Sequence, residues 1–249
     1  MGTLDDGLPS FEDEVAHFTQ KCAEHLARTV VARNLAVAGG DKALETVDPK
    51  LLQQALGEKD SSAARVHAIL TQSLFLELKA NFELYLWTQG RAWLRHDLIG
   101  SLARASQKGA NFLKQSTLQS VFNDGSPDSL LPVQGLEALT AVLEDIAPGF
   151  KVRGVVKQDF AQISVAFQVR HVVEHRKGRV DERFISGVKQ DWRGSSWGKR
   201  SKDVPKKDDR VHVTGDDFDS TYCAMQRAVS AVGQEMLVAW TKRPPKTRT

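Results

Sequence analysis

The sequence contains few cysteines and no long apolar segment, and both absences narrow what the chain can be. Cys22 and Cys223 are its two cysteines, and neither belongs to a CxxC pair, so we expect neither a thiolate-rich structural zinc site nor a disulfide framework. No apolar run approaches the roughly 18 residues needed to cross a bilayer. The N-terminal residues are acidic where a secretory signal would be basic. We therefore expect a cytosolic protein that is not associated with a membrane.

Excess charge of either sign is also missing. The 34 lysines and arginines against 31 aspartates and glutamates give a formal net charge of +3, so the molecule as a whole is not a polycation. Affinity for nucleic acid would have to come from local basic patches. The 249 residues, 41% hydrophobic and 26% charged, are typical of an ordinary globular protein with a sizeable core.

Apolar residues recur at helical spacing along most of the chain. Ser10, with Asp13 three residues later, predicts the start of a helix that runs to about Ala36 and ends at Gly39 and Gly40. The pattern predicts further helices at about 61–94, 136–146, 159–176 and 216–240, a loop at 187–210 and a short strand at 211–213. The sequence therefore predicts an all-α fold with an N-terminal helical extension (1–60), a helical domain (61–242) and a basic tail (243–249).

The helix predicted from Asp159 to Arg176 carries the residues best suited to chemistry. At about 100° per residue, one side of this helix is apolar and another is polar. The apolar stripe comprises Val165, Ala166, Val169, Val172 and Val173, and the polar stripe comprises Ser164, Gln168, His171 and His175, with Arg170 and Glu174 beside it. An arginine can bind a phosphodiester, and a histidine that titrates near neutral pH can move a proton to or from a ribose oxygen.

The spacing of Arg170 and His175 favours a site shared between two protomers. The two residues are five positions apart, which corresponds to about 140° around an ideal helix. One copy is therefore not expected to direct both side chains at a single atom. Two such helices that meet across a two-fold axis would line one cleft with both residue types, so a site built from them predicts a homodimer.

The run Arg170-His171-Val172-Val173-Glu174-His175, followed by Gly178, Asp181 and Phe184, resembles the motif of the HEPN superfamily, in which an arginine, a polar residue, three variable residues and a histidine follow one another. In architecture the likeness extends over about residues 60–242. The resemblance implies a HEPN-like helical bundle, commonly dimeric, and metal-independent cleavage of RNA by attack of the ribose 2′-hydroxyl, with no cofactor.

The same resemblance implies roles and partners. Arg170 would stabilise the phosphoryl transition state, His175 would act as acid or base, and His171 would fill the variable polar position, while Glu174, Gly178 and Asp181 belong to the surrounding motif. Many HEPN proteins act in toxin–antitoxin or antiviral defence systems, which implies RNA as substrate and an antitoxin or defence complex as partner. Other members are non-catalytic, so the alternative is a dimerisation or interaction module, or a nucleotide-binding subunit of a larger defence complex.

The segment from Gly187 to Arg210 is basic and contains two tryptophans. Eight lysines and arginines stand against four aspartates, a local charge of +4. Basic side chains neutralise phosphates and indoles stack on bases, so this segment predicts RNA contacts. The residues concerned are Trp192, Arg193, Trp197, Lys199, Arg200 and Lys202. The alternative interpretation is a solvated segment whose tryptophans pack onto the domain.

The motif residues themselves also have simpler interpretations. Arg170 and Glu174 are spaced as an i, i+4 ion pair, which would explain both residues without any function. His171 and His175 have the spacing of a two-histidine metal site, but Glu174 lies on another face and no third ligand is evident. No metal is therefore expected.

Overall fold

The structure, a computed structural model, describes residues 9–45, 50, 63–107, 136–157 and 159–243, and most of these residues are helical. The helices are α1 (Phe11–Glu45), α2 (Ala63–His96), α3 (Leu98–Gln107), α4 (Leu136–Ile146), α5 (Val152–Val155), α6 (Phe160–Arg176), α7 (Glu182–Val188), α8 (Ser196–Arg200) and α9 (Gly215–Thr241). The all-α fold predicted from the sequence is confirmed. None of the helices described is both long enough and apolar enough to cross a membrane.

Two local predictions about the segment after α6 are wrong. Residues 187–210 are not a continuous loop, because they contain the end of α7, a 3₁₀ turn (Trp192–Gly194) and the whole of α8. The short strand predicted at 211–213 is also absent. In the described part of the chain, β pairing is confined to an isolated antiparallel bridge between Arg179 and Arg210.

Helix α1 begins as its sequence predicts but ends later. The Asp13 N–H donates to Ser10 Oγ at 3.1 Å, and that hydroxyl donates to the Asp13 carboxylate at 2.8 Å, so Ser10 is the expected N-cap. The helix does not stop at Gly39 and Gly40 but continues to Glu45. A glycine in a helix interior costs only about 1 kcal/mol relative to alanine, which is too little to end a helix by itself.

Contacts divide the chain into two compact units. The first comprises residues 1–23, 82–158 and 227–249, and the second comprises residues 24–81 and 159–226. The long helices α1, α2 and α9 contribute residues to both units. The boundary predicted between residues 60 and 61 lies outside the described residues and stays a prediction, as does the basic tail, of which the structure describes Arg243 alone.

An aromatic cluster forms the core of the first unit at the start of α1. The ring of Phe11 stacks on Trp240 with centroids 4.1 Å apart, and Trp93 meets both rings edge-on at 5.3 Å. Beside these rings the buried carboxylate of Glu14 is paired with the guanidinium of Arg95. Aromatic pairs of this kind contribute about 0.5–1.5 kcal/mol beyond the area they bury, and they fix the first turn of α1 to α2 and α9.

The second unit buries the apolar stripe of α6, as the sequence predicts. The buried side chains of this stripe are Val165, Ala166, Val169, Val172 and Val173. Two aromatic contacts extend this core. Phe75 of α2 meets Trp197 of α8 at 5.9 Å, and Phe184 of α7 meets Trp192 at 6.2 Å between ring centroids. Of the polar stripe, Ser164 is buried as well, whereas His171 is half-buried and His175 is exposed.

The chain reverses direction sharply after α6, and Gly178 makes this possible. Lys177 and Gly178 both adopt left-handed backbone angles, with φ of 52° and 79°, and the N–H groups of both residues donate to the Val172 carbonyl, that of Gly178 at 2.9 Å. A Cβ on Gly178 would lie 2.9 Å from the Val211 carbonyl oxygen. The left-handed cap predicted at this glycine therefore begins one residue earlier and spans two residues.

Replacing Gly178 by alanine is expected to lower the free energy of unfolding by about 1–3 kcal/mol, because the left-handed backbone and the close Val211 carbonyl both oppose a side chain. Gly39→Ala is the matched control. A Cβ at Gly39 meets nothing within 4 Å, so that variant should be neutral or up to about 1 kcal/mol more stable. Urea unfolding followed by circular dichroism measures both, and equal effects at the two positions would contradict this account.

Candidate anion-binding site on helices α6 and α7

Helix α7 is folded back along the polar stripe of α6 by several specific contacts. The Asp181 carboxylate caps α7 by accepting the Phe184 N–H at 2.8 Å, and the Phe184 ring is fully buried. Asp181 also faces the guanidinium of Arg176 at 3.7 Å. At the far end of α7, Gly187 lies so close to Gln168 that a Cβ would be 2.8 Å from Gln168 Cδ. The two helices therefore run antiparallel in a fixed register.

The motif residues Arg170 and His175 approach the same atom. Arg170 Nη2 lies 2.5 Å from Glu174 Oε2, and His175 Nε2 lies 3.5 Å from that same oxygen. The three side chains are 30%, 36% and 53% exposed for Arg170, Glu174 and His175, so solvent and ligands reach them. One protomer thus directs a guanidinium and an imidazole at a single anionic oxygen.

This convergence corrects the expectation that one copy of α6 could not direct both side chains at one atom. The angle of about 140° between positions 170 and 175 separates the Cα–Cβ bonds. Glu174 stands between them in the helix, and the flexible arginine side chain bends toward its carboxylate. The homodimer predicted from the sequence stays a prediction, but this site does not require it.

His171 lies beside His175 and is partly shielded from water. The two imidazole rings are 5.1 Å apart between centroids. Burial, followed by the positive charges of Arg183 and His175, lowers the pKa of His171 below its ordinary value, while the carboxylate of Asp181 acts in the opposite direction. At neutral pH the His171 imidazole is therefore uncharged and able to accept a proton.

The two histidines do not form a metal site with other side chains that the structure describes. Within those residues, no group of three or more histidines, cysteines, aspartates or glutamates has an arrangement that could hold a metal ion. The groups that converge here are a guanidinium, two imidazoles and one carboxylate. Such a set binds anions and transfers protons.

The tryptophans of the basic segment belong to the core. Trp192 is 3% exposed and Trp197 is 2% exposed. Their indole N–H groups donate to the backbone carbonyls of Ser201 at 2.8 Å and His212 at 3.1 Å. In this conformation neither indole offers a face on which a base could stack, and both pack onto the domain as the alternative interpretation held.

Arg200 is also held by the fold. Its guanidinium donates to Asp217 Oδ2 at 2.7 Å, and the fully buried Asp217 carboxylate also accepts from the hydroxyls of Ser196 at 2.7 Å and Thr214 at 2.8 Å. Arg200 therefore neutralises a buried carboxylate at the start of α9. The other cations predicted to contact RNA are solvent-exposed: Arg193, Lys199 and Lys202.

Reading the sequence alone missed Arg183. Arg183 lies outside the six-residue motif, and charged residues surround it in the sequence, so it could not be distinguished from ordinary surface cations. The apolar residue Phe184 next to it could have indicated Arg183. A helix that buries the Phe184 ring also fixes the directions of the neighbouring side chains. Arg183 lies on α7 between Asp181 and Gly187, through which α7 contacts α6, and its positive charge is one of the causes that lower the pKa of His171.

Replacing His171 by glutamine is expected to stabilise the protein more at acidic than at alkaline pH. Because the folded state lowers the pKa of His171 below the ordinary 6.5, the unfolded chain binds this proton more readily than the folded one. The resulting cost is fully present below the folded-state pKa and disappears as the pH rises above about 6.5. Urea midpoints of wild type and His171→Gln between about pH 5 and 8 measure this.

The exposed His25 of α1 provides the control for that series. His25→Gln removes an imidazole from the same unit but not from this site. A difference between His171→Gln and wild type that stays constant over the whole pH range would show that the surroundings of His171 do not disfavour its charged form.

Similarity to known proteins gives no assignment for this chain. No protein-family model matches it, and no curated protein or solved structure is significantly similar to it. The positions of the side chains on α6 and α7 are therefore the basis on which a function is proposed.

Proposed function

We propose that α6 and α7 form a phosphodiester site at which Arg170, His171 and His175 cleave RNA without a metal ion. The observation that carries this proposal is the approach of Arg170 and His175 to one carboxylate oxygen of Glu174, at 2.5 and 3.5 Å, beside a second imidazole. Phosphate and carboxylate oxygens accept the same charge-assisted hydrogen bonds from guanidinium and imidazolium groups. A phosphate that displaces the Glu174 carboxylate would therefore meet both donors.

The chemistry follows from the two histidines. The neutral imidazole of His171 accepts the proton of a ribose 2′-hydroxyl, and the freed oxygen attacks the adjacent phosphorus. As the bond from phosphorus to the 5′-oxygen breaks, protonated His175 donates its proton to that leaving oxygen. Arg170 stabilises the additional negative charge on the phosphoryl oxygens in the transition state. The products are a 2′,3′-cyclic phosphate and a 5′-hydroxyl.

The surroundings of the site support an RNA substrate. The exposed cations Arg193, Lys199 and Lys202 lie in the same unit as the motif helix and can neutralise backbone phosphates. By its resemblance to the HEPN motif, the proposal also includes a cytosolic homodimer that works with an antitoxin or a defence complex.

A non-catalytic interaction module is the second candidate, and the ion pair between Arg170 and Glu174 favours it. A pair at i, i+4 stabilises an exposed helix by a few tenths of a kcal/mol, so the pair has a structural use without any substrate. In that case replacing Arg170 and His175 would disturb oligomerisation or the binding of a partner or nucleotide. The wild-type protein would then show no nuclease activity.

A double variant, Arg170→Ala/His175→Ala, is expected to lose RNA cleavage by about 10³-fold or more, since both transition-state stabilisation and proton transfer are removed. The assay uses fluorescent single-stranded RNA in EDTA and identifies the product ends. Substrate with 2′-deoxyribose at the cleaved position should resist the wild-type protein. The matched control is His25→Ala/Arg28→Ala, which removes an exposed histidine and an arginine that is likewise paired at i, i+4, with Glu24 at 3.8 Å.

The comparison of these two double variants decides the proposal. Equal cleavage by both would show that the site is assigned wrongly. Loss of oligomerisation or of a partner in the α6 variant, with no cleavage by the wild type, would favour the interaction module. Light scattering and pull-down assays on the same samples measure those properties.

Replacing Glu174 by glutamine is expected to strengthen RNA binding by about two- to fivefold, because the substrate phosphate would no longer compete with a carboxylate for Arg170. Fluorescence anisotropy with 2′-O-methyl RNA, which cannot be cleaved by this route, measures the affinity. Glu182→Gln is the control, since it removes an equally charged but 75% exposed side chain from α7. An equal gain in both variants would show only a general effect of charge.

A further inference from the structure

Helix α7 brings to the site a guanidinium that the motif does not include. Arg183 is exposed and directly precedes the buried Phe184. Arg170, Arg176 and Arg200 each face a carboxylate, whereas no ion pair of Arg183 occurs within the described residues. A guanidinium that forms no ion pair with a described carboxylate is available to an anionic ligand.

The register of the two helices places this guanidinium beside the histidine pair. At one end of α7, Asp181 faces Arg176, and at the other end Gly187 lies against Gln168. Arg183 lies between those two contact points on α7, just as the histidine pair lies between them on α6. After burial, the positive charge of Arg183 is a cause of the lowered pKa of His171, which agrees with this placement.

Arg170 belongs to α6 itself, so it reaches the site from a different helix than Arg183 does. It is two residues from Gln168, which corresponds to about 160° around α6, and Gln168 is the residue that α7 covers. Arg170 therefore starts from a face of α6 that α7 does not cover at Gln168, whereas Arg183 starts from α7. A single phosphate held by Arg170 leaves Arg183 without an anion, whereas a strand that crosses the histidine pair would supply a second phosphate.

We infer that Arg183 binds the phosphate next to the one that is cleaved, so that the preferred substrate is a single-stranded oligonucleotide with at least two phosphodiesters. This inference rests on the proposed function for the identity of the cleaved phosphate. Arg183 contacts a phosphate that does not react, so it is a positioning residue. Its contribution appears in substrate binding and increases with the number of phosphates that the substrate carries.

The test compares a dinucleotide, which has one phosphodiester, with a trinucleotide, which has two. Arg183→Ala is expected to raise KM for the trinucleotide about tenfold, the worth of one charge-assisted hydrogen bond, with a clearly smaller rise for the dinucleotide and little change in kcat. Arg183→Lys, which keeps the charge, should restore part of the loss. Arg28→Ala removes a positive charge elsewhere in the same unit and serves as the control.

Binding of an uncleavable 2′-O-methyl trinucleotide, measured by fluorescence anisotropy, separates this inference from the proposed function. Arg183→Ala should weaken that binding and reduce its dependence on salt by about one phosphate contact. Equal effects on the two substrate lengths, or none on either, would overturn the role of Arg183 even if cleavage is observed. Binding that depends on Arg183 without any cleavage would support the inference on phosphate binding and overturn the proposed catalysis.

Discussion

The site depends on the two-residue left-handed turn at Lys177 and Gly178. Because the Gly178 N–H returns to the Val172 carbonyl, the chain leaves α6 in the direction that lets α7 fold back along it. The Asp181 cap and the buried Phe184 ring then fix α7 in place. A side chain at position 178 would meet the Val211 carbonyl, so the same few atoms also tie the segment before α9 to the motif. Gly178 and Asp181 thus determine where α7, with Arg183, lies relative to the histidines of α6.

Two carboxylates, those of Glu174 and Asp181, face the cations of α6 and α7. The Glu174 carboxylate pairs with Arg170 and approaches His175, and a pair of such exposure contributes about 1 kcal/mol or less to stability. The same carboxylate occupies the place that a phosphate would need. In the proposed function a substrate phosphate would replace this ion pair, whose weakness in water makes such exchange feasible. His171 lies outside this pair, and its neutrality results from burial and from Arg183.

In the basic segment, residues 187–210, tertiary packing gives the tryptophans a different role from the one that the amino-acid composition predicts. Tryptophans among lysines and arginines are typical of a surface that binds single-stranded nucleic acid, yet both indoles are buried here and donate to backbone carbonyls. Arg200 neutralises the buried Asp217, which four hydrogen-bond donors surround in all, from Ser196, from Arg200 and from the hydroxyl and N–H of Thr214. A buried carboxylate without such partners would cost several kcal/mol. Trp192, Trp197 and Arg200 therefore serve mainly to hold this segment in the fold. The exposed cations Arg193, Lys199 and Lys202 are the ones that would remain available to a polyanion.

The sequence by itself determined the helical fold, the start of α1 at Ser10, the burial of the valine stripe of α6 and the reversal near Gly178, because periodicity, capping and left-handed glycines are local properties of a few neighbouring residues. It also predicted which side chains of α6 are polar. Only the tertiary structure decided that Arg170 and His175 reach one oxygen, that α7 adds Arg183, and that the tryptophans face inward. These outcomes depend on how side chains bend and on what each helix packs against. Side-chain conformation and helix packing are both determined by contacts between residues that are distant in the chain. The spacing of residues along one helix gives no information about those contacts.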